Sequence, residues 1–246
     1  MFEIVAIVLI TLAGGCLPLL FKWTDRWLHA ALAGSTGIFL GAVFLHLLPS
    51  LASFDTGAER TEHVSLHGGD TTLWFFVLIG VLAVYLLEAI VFRAGDSDRH
   101  TSVGYAAFFG LSVHSLATGI GFSAATQLPE LVGPLLIAIL AHTGFESFSL
   151  SSVFQLAGFS RARVLVTISI FSLLTPAGIL LGGVFTRHLG AFGIAVVTAL
   201  ASGTFLYVCL CELLPEVFHH REDGVRKIFL LFAGVGLMLL LHEAGV

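Results

Sequence analysis

Charged side chains are scarce in this sequence. Asp, Glu, Lys and Arg together make up 11% of its 246 residues, and 57% of the residues are hydrophobic, whereas a soluble domain is about 25% charged. The mean hydropathy is +1.00. So little polar sequence excludes an intrinsically disordered chain and leaves no room for a large soluble domain, catalytic or otherwise, outside a membrane.

Basic residues and cysteines are also few. The 11 Lys and Arg against 16 Asp and Glu give a net charge of −5, which excludes the basic face that a nucleic-acid partner requires. The three cysteines, Cys16, Cys209 and Cys211, lie in apolar stretches and do not form a disulfide framework. The His-Glu-x-x-His motif of zincin-like metalloenzymes is missing. We therefore predict a membrane protein that is not an enzyme and binds no nucleic acid.

The sequence does contain eight apolar runs separated by polar residues. Each run can cross a bilayer as a helix of about 20 residues. The first lacks the basic start of a signal peptide, so we interpret it as a retained span. The fold prediction is an all-α membrane protein with one transmembrane domain over 1–246 and spans at 2–21, 28–51, 72–92, 102–125, 131–157, 164–185, 190–214 and 225–243.

The basic residues predict the orientation of these spans. Alternate loops carry nine of the eleven Lys and Arg, and the other loops carry only Arg60 and Arg187. Loops rich in Lys and Arg stay in the cytoplasm. We therefore expect a multi-pass protein of the cell membrane with both termini outside.

An internal repeat relates the second span to the seventh. A shift of 166 residues places Gly37, Phe39 and Leu40 on Gly203, Phe205 and Leu206, and Leu47-Leu48-Pro49 on Leu213-Leu214-Pro215. An odd number of crossings separates the copies, so they run in opposite directions. Inverted repeats are common in secondary transporters; chance similarity of Leu- and Gly-rich helices is the alternative.

Three ionisable residues lie near the middle of predicted spans, where a charge is costly. His114 is in the fourth span, and His142 and Glu146 are four residues apart on one face of the fifth. Two imidazoles and a carboxylate suit zinc, iron(II), cobalt or manganese, and ligand type alone does not choose among them. The alternative is a buried polar cluster that only ties helices together.

Other polar residues lie nearer the span ends. His46 and Glu212 occupy equivalent repeat positions on opposite sides of the membrane, so they are either ligands on a metal path or side chains that reach the interface. Glu88 is interpreted as structural or interfacial. The outer loop with His63 and His67 is interpreted as a solvated charged loop, while His219 and His220 either take metal at an exit or have no role.

Four stretches carry a recognisable pattern of His or Glu among small residues. They are His-Ser-Leu-Ala-Thr-Gly at 114–119, Ala-His-Thr-Gly-Phe-Glu at 141–146, Ala-Ser-Gly-Thr-Phe-Leu-Tyr at 201–207 followed by Glu-Leu-Leu-Pro-Glu at 212–216, and His-Leu-Leu-Pro at 46–49. Together with the eight spans and outside termini, these stretches resemble the ZIP family of divalent-metal transporters.

The resemblance implies an eight-helix bundle in which spans one to three and six to eight form inverted repeats around spans four and five. It implies a metal path between spans four and five toward the cytosol. His114, His142 and Glu146 would be ligands of the central site, and Ser115 and Thr143 would occupy positions of a second-site ligand. Glu212 would lie on the release path and His46 near the entrance.

The sequence departs from the family pattern at two positions along this path. Thr118 stands where many members have an acid, and Thr175 stands where some have another. We therefore expect one main metal site, with zinc as the transported ion and iron, manganese or cobalt as possible substrates. A metal-binding receptor or assembly protein without transport is the alternative function. The many small residues in the spans permit a homodimer.

Overall fold

The structure is a computed structural model that describes residues 2–21, 23–52, 71–92, 99–126, 129–219 and 222–244. The loop with His63 and His67, and His220 in the loop before the last span, lie outside the described residues. No strand occurs in the described part of the chain.

Within the described residues, eight helices are long and apolar enough to cross a membrane, which confirms the predicted all-α architecture. The helices extend a few residues beyond several predicted runs because polar residues such as Asp25 and Arg161 continue the helical turns at their ends. The first to eighth spans are Phe2–Leu20, Asp25–Ala52, Thr72–Ile90, His100–Ala124, Leu135–Leu156, Arg161–Val184, Phe192–Phe218 and Gly224–Glu243.

Proline marks the irregular turns of three spans. A proline ring clashes with the carbonyl of the residue four positions earlier and donates no backbone hydrogen bond. In the second span, the π-helical segment Val43–Leu47 is followed by the short α-helix Leu48–Ala52, which contains Pro49. In the seventh, the π-helical segment Val208–Leu213 is followed by the short α-helix Leu214–Phe218, which contains Pro215. Before Pro176, the helix Arg161–Ser172 ends and a new one begins at Leu174. His46 and Glu212 lie in the first two of these π segments.

The spans pack in four close pairs: first with fifth, second with eighth, third with seventh and fourth with sixth. The fourth span also contacts the seventh, where Gly110 lies against Thr204 and Val208. Glycines allow these approaches, because a Cβ at their positions would overlap the backbone of the partner helix. One such contact in each pair joins Gly14 to Gly144, Gly37 to Leu231, Gly203 to Val77, and Gly119 to Thr175. The sixth and seventh spans are separated by a break at Gly190, whose φ of 62° favours glycine.

The main apolar core fills mostly one half of the bundle. It contains the beginnings of the second and fourth spans and the ends of the fifth and seventh, with Leu32, Ala107, Leu150 and Val217 among its buried members. At the rim of this half, Arg26 donates hydrogen bonds to Asp223, joining the starts of the second and eighth spans. These bonds hold the pKa of the Asp223 carboxyl below its usual value.

We predict that Gly203→Val destabilises the folded protein by about 1–3 kcal/mol, because the added side chain would collide with the third span. The matched control is Gly183→Val, since Gly183 lies in the neighbouring sixth span, is exposed and faces open space. The control should change stability by no more than about 0.5 kcal/mol. Thermal or denaturant unfolding of the purified protein in detergent measures both, and equal effects of the two substitutions would contradict the packing.

Candidate metal site

The fourth and fifth spans bring His114, His142 and Glu146 together near the middle of the bundle. His114 Nε2 lies 3.4 Å and His142 Nε2 lies 3.9 Å from Glu146 Oε1. The three ligand atoms are within 4.8 Å of one another. His114 and Glu146 are buried, and the side chain of His142 keeps 15% of its surface exposed.

Two hydroxyl groups on the fourth span contact this triad. Thr118 Oγ1 lies 3.3 Å from His114 Nε2, and Ser115 Oγ donates a long hydrogen bond of 3.5 Å to Glu146 Oε2. Ser115 and Thr118 therefore contact the triad. Thr143, one residue after His142 and three before Glu146, is also buried.

A cavity of about 270 Å³ reaches the triad from one side. It is lined by the ends of the second, fourth and eighth spans and the beginnings of the fifth and seventh, including His46, Ser50, His114, His142 and Met238. The His46 ring also lies 5.0 Å from that of His242, centroid to centroid and edge to face. The three histidines of the cavity, His46, His114 and His142, therefore run from the span ends to the bundle centre.

Aromatic rings close the cavity on its other side. The Phe205 ring stacks on His114 with centroids 4.2 Å apart and an interplanar angle of 21°, and Phe39 packs on Phe205 at 5.4 Å. Both phenylalanines are fully buried in the main core. The cavity is therefore one-sided, and a packed apolar layer separates the triad from the opposite half of the bundle.

The remaining predicted path residues do not line this cavity among the described residues. Glu212 is buried in the π-helical segment of the seventh span. Thr175 is buried at the helix break, where its carbonyl lies against Gly119. Glu88 is buried and accepts a hydrogen bond from Tyr207, which fits the structural interpretation rather than the interfacial one.

Sequence reasoning missed the stacking partner of His114 and the ring next to His46. Phe205 is an ordinary apolar residue in a repeat, and only its equivalence to Phe39 hinted at a common depth. His242 lies near the end of the last span, where a histidine at the boundary with water is common and does not indicate a function. Neither contact follows from spacing along one helix, because each joins two spans.

The triad has the composition of a divalent-cation site. Within the described part of the chain, Glu146 Oε1 accepts no hydrogen bond and His114 Nδ1 has no hydrogen-bond partner. A buried carboxylate oxygen without a hydrogen-bond partner is costly unless a cation neutralises it. Neighbouring ligand atoms on tetrahedral zinc are about 3.3 Å apart, close to the 3.4 Å between His114 Nε2 and Glu146 Oε1. Three protein ligands would leave one position open for water or a mobile hydroxyl such as that of Thr118.

The chain matches known proteins over nearly its full length. The family model described as ZIP Zinc transporter matches residues 1–104 and 93–242. The Danio rerio protein named Zinc transporter ZIP1 is 26% identical, covering 98% of this chain and 96% of that protein. The Mus musculus Zinc transporter ZIP1 is 32% identical over 82% of this chain and 74% of its own length. The second matched segment includes the whole triad.

Proposed function

Because the chain belongs to the ZIP zinc transporter family, we propose that it moves divalent cations, zinc above all, across the membrane through a site formed by His114, His142 and Glu146. Iron(II), manganese and cobalt are the competing substrates, since imidazole and carboxylate ligands accept each of them. The cation is the cargo of the protein and not a resident cofactor.

One observation carries the proposal: the buried carboxylate of Glu146 lies between two imidazoles, His114 and His142, that line a one-sided cavity. Ionisable residues inside a membrane are expensive and mark ion pathways. A cluster that served only to tie helices together would satisfy its polar atoms internally. Here Oε1 of Glu146 is instead available to a cation that enters through the cavity.

The helix pairs support alternating access by two inverted repeats. In such a repeat, the first, second and third spans are equivalent to the sixth, seventh and eighth, and the fourth span is equivalent to the fifth. A contact between the first and fifth spans then implies an equivalent contact between the sixth and fourth. A contact between the second and eighth spans implies one between the seventh and third. All four pairs occur, and π segments recur around His46 and Glu212. Movement of one group of spans against the other would open the packed side.

The direction of transport follows from the predicted orientation. The cavity lies in the half where the second, fourth and eighth spans end, and the loops on that side carry few Lys or Arg. That side would be outside the cell. Zinc would enter past His46, bind at the triad and leave past Glu212 toward the cytosol. Weaker holding of metal, expected from Thr118 and Thr175 in place of acids, favours release.

We predict that Glu146→Gln lowers zinc uptake into proteoliposomes by about tenfold or more, because the amide cannot supply the neutralising charge. Glu222→Gln is the matched control, since Glu222 is exposed and lies outside the spans. Uptake unaffected by Glu146→Gln at equal protein incorporation would refute the site. Zinc bound at equilibrium without any uptake by the wild type would favour a receptor or assembly protein instead.

Competition in the same uptake experiment ranks the metals. We expect unlabelled zinc to displace radioactive zinc more effectively than iron(II) or manganese at equal concentration, since affinity of a nitrogen and oxygen site is higher for zinc than for either. Magnesium serves as the control ion, because it prefers all-oxygen ligands. Stronger competition by iron(II) or manganese than by zinc would contradict zinc as the main cargo.

The orientation has its own test. An epitope tag after the C-terminus should bind antibody on intact cells, because the positive-inside rule places both termini outside. The same tag inserted after Glu222, in the loop before the last span, should be reached only after permeabilisation. The reverse pattern of labelling would invert the predicted orientation.

A further inference from the structure

A second group of histidines surrounds a carboxylate at the opposite end of the bundle. Glu216 is near the end of the seventh span, and His29 and His100 are at the starts of the second and fourth. His100 Nδ1 lies 2.7 Å and His29 Nε2 lies 3.6 Å from the same oxygen, Oε1 of Glu216. Three spans that are remote in sequence therefore bring two imidazoles onto one carboxylate.

The carboxylate of Glu216 is buried without adequate hydrogen bonding. Its exposed fraction is 0%, and neither of its oxygens receives a well-directed hydrogen bond from any residue in the described part of the chain. Lys227 also attracts Glu216 electrostatically. A buried carboxylate with so few hydrogen bonds is stabilised when its oxygens bind a cation.

The tautomer of His29 also favours a cation between the rings. Its Nδ1 lies 2.7 Å from the backbone carbonyl oxygen of Asp25. A carbonyl only accepts, so Nδ1 carries a proton and donates it. In the neutral ring, Nε2 then directs a lone pair toward Oε1 of Glu216. A metal-binding histidine typically donates its other N–H to a carbonyl in this way, and 3.6 Å is too long for a proton alone to bridge the two atoms well.

The cluster is accessible from the nearby aqueous face. His29 is 2% exposed, but the His100 side chain is 22% exposed. His219 is one helical turn beyond Glu216, on the same face, and is exposed, with its ring centroid 6.1 Å from that of His100. A cation could therefore pass from the rim at His219 through His100 to the buried carboxylate.

The cluster is separate from the triad of His114, His142 and Glu146. The main apolar core, which includes Phe39, Leu111 and Val208, lies between the two groups along the second, fourth and seventh spans. None of His29, His100 and Glu216 lines the cavity at the triad. A cation at one cluster is therefore not bound by the other in this conformation.

We propose that Glu216, His29 and His100 form a second binding site for a divalent cation of the zinc class, with His219 at its rim. Binding at this site does not depend on transport. The cluster lies on the predicted cytoplasmic side of the bundle. A role of this site in releasing the cation to the cytosol rests on the proposed function. The competing explanation is an imidazolium and carboxylate ion pair that only joins three helices.

The test counts zinc ions bound at equilibrium to the purified full-length chain in detergent. The wild type should bind two zinc ions per chain, and Glu216→Gln should bind one. A second variant, His100→Ala, keeps the buried carboxylate and removes a partly exposed ring, so it tests the site even if Glu216→Gln does not fold. It should weaken zinc binding at the second site by about tenfold or more. Glu222→Gln, the exposed control on the same side, should bind two.

The outcomes separate this site from the central one. Glu146→Gln should also bind one zinc ion, and its combination with Glu216→Gln should bind none. A wild type that binds one ion, lost only in Glu146→Gln, would overturn the second site and leave the proposed function intact. Two ions retained by folded Glu216→Gln and His100→Ala would overturn it as well. A count unchanged by Glu146→Gln but lowered by Glu216→Gln would remove the central site and support the second.

Discussion

Glu146 holds a buried carboxylate in the interior of a bundle of apolar helices, where no residue of the described chain donates a hydrogen bond to Oε1. Such a group is tolerated only with a cation or a proton nearby. The histidines beside it, the long contact with Ser115 and the cavity that ends at His142 all follow from this requirement. The same physical problem recurs at Glu216, where two other imidazoles approach a buried carboxylate.

Close helix contacts make these clusters possible. Lipid gives helices little reason to associate through apolar surface, so association depends on tight packing and polar contacts. Gly119 brings the fourth span onto the sixth, and Gly14 brings the first onto Gly144, two residues from Glu146. Bulkier residues at these positions would separate the helices and enlarge the distances between His114, His142 and Glu146. The glycines and the polar cluster are therefore parts of one structural requirement.

The two sides of the bundle differ in a way that suits a carrier. A cavity lined by His46 and His142 occupies one half, whereas Phe39, Phe205 and the main core fill the other. The stack of Phe205 on His114 places an apolar ring directly beside a residue of the proposed site. Displacement of that ring would couple the state of the site to the opening of the packed half. The helix break before Pro176 and the π segments before Pro49 and Pro215 are where the helices can bend.

The sequence by itself determined the eight spans, because long apolar runs in a bilayer must satisfy their backbone groups as helices. It also indicated His114, His142 and Glu146, since charged or polar residues near the centre of a span are rare. Tertiary structure decided which of the remaining polar residues meet. His29, His100 and Glu216 lie near span ends, where solvation makes such residues common and uninformative. Only the packing of three spans brings them to one oxygen, and no periodicity within a single helix encodes a contact between helices.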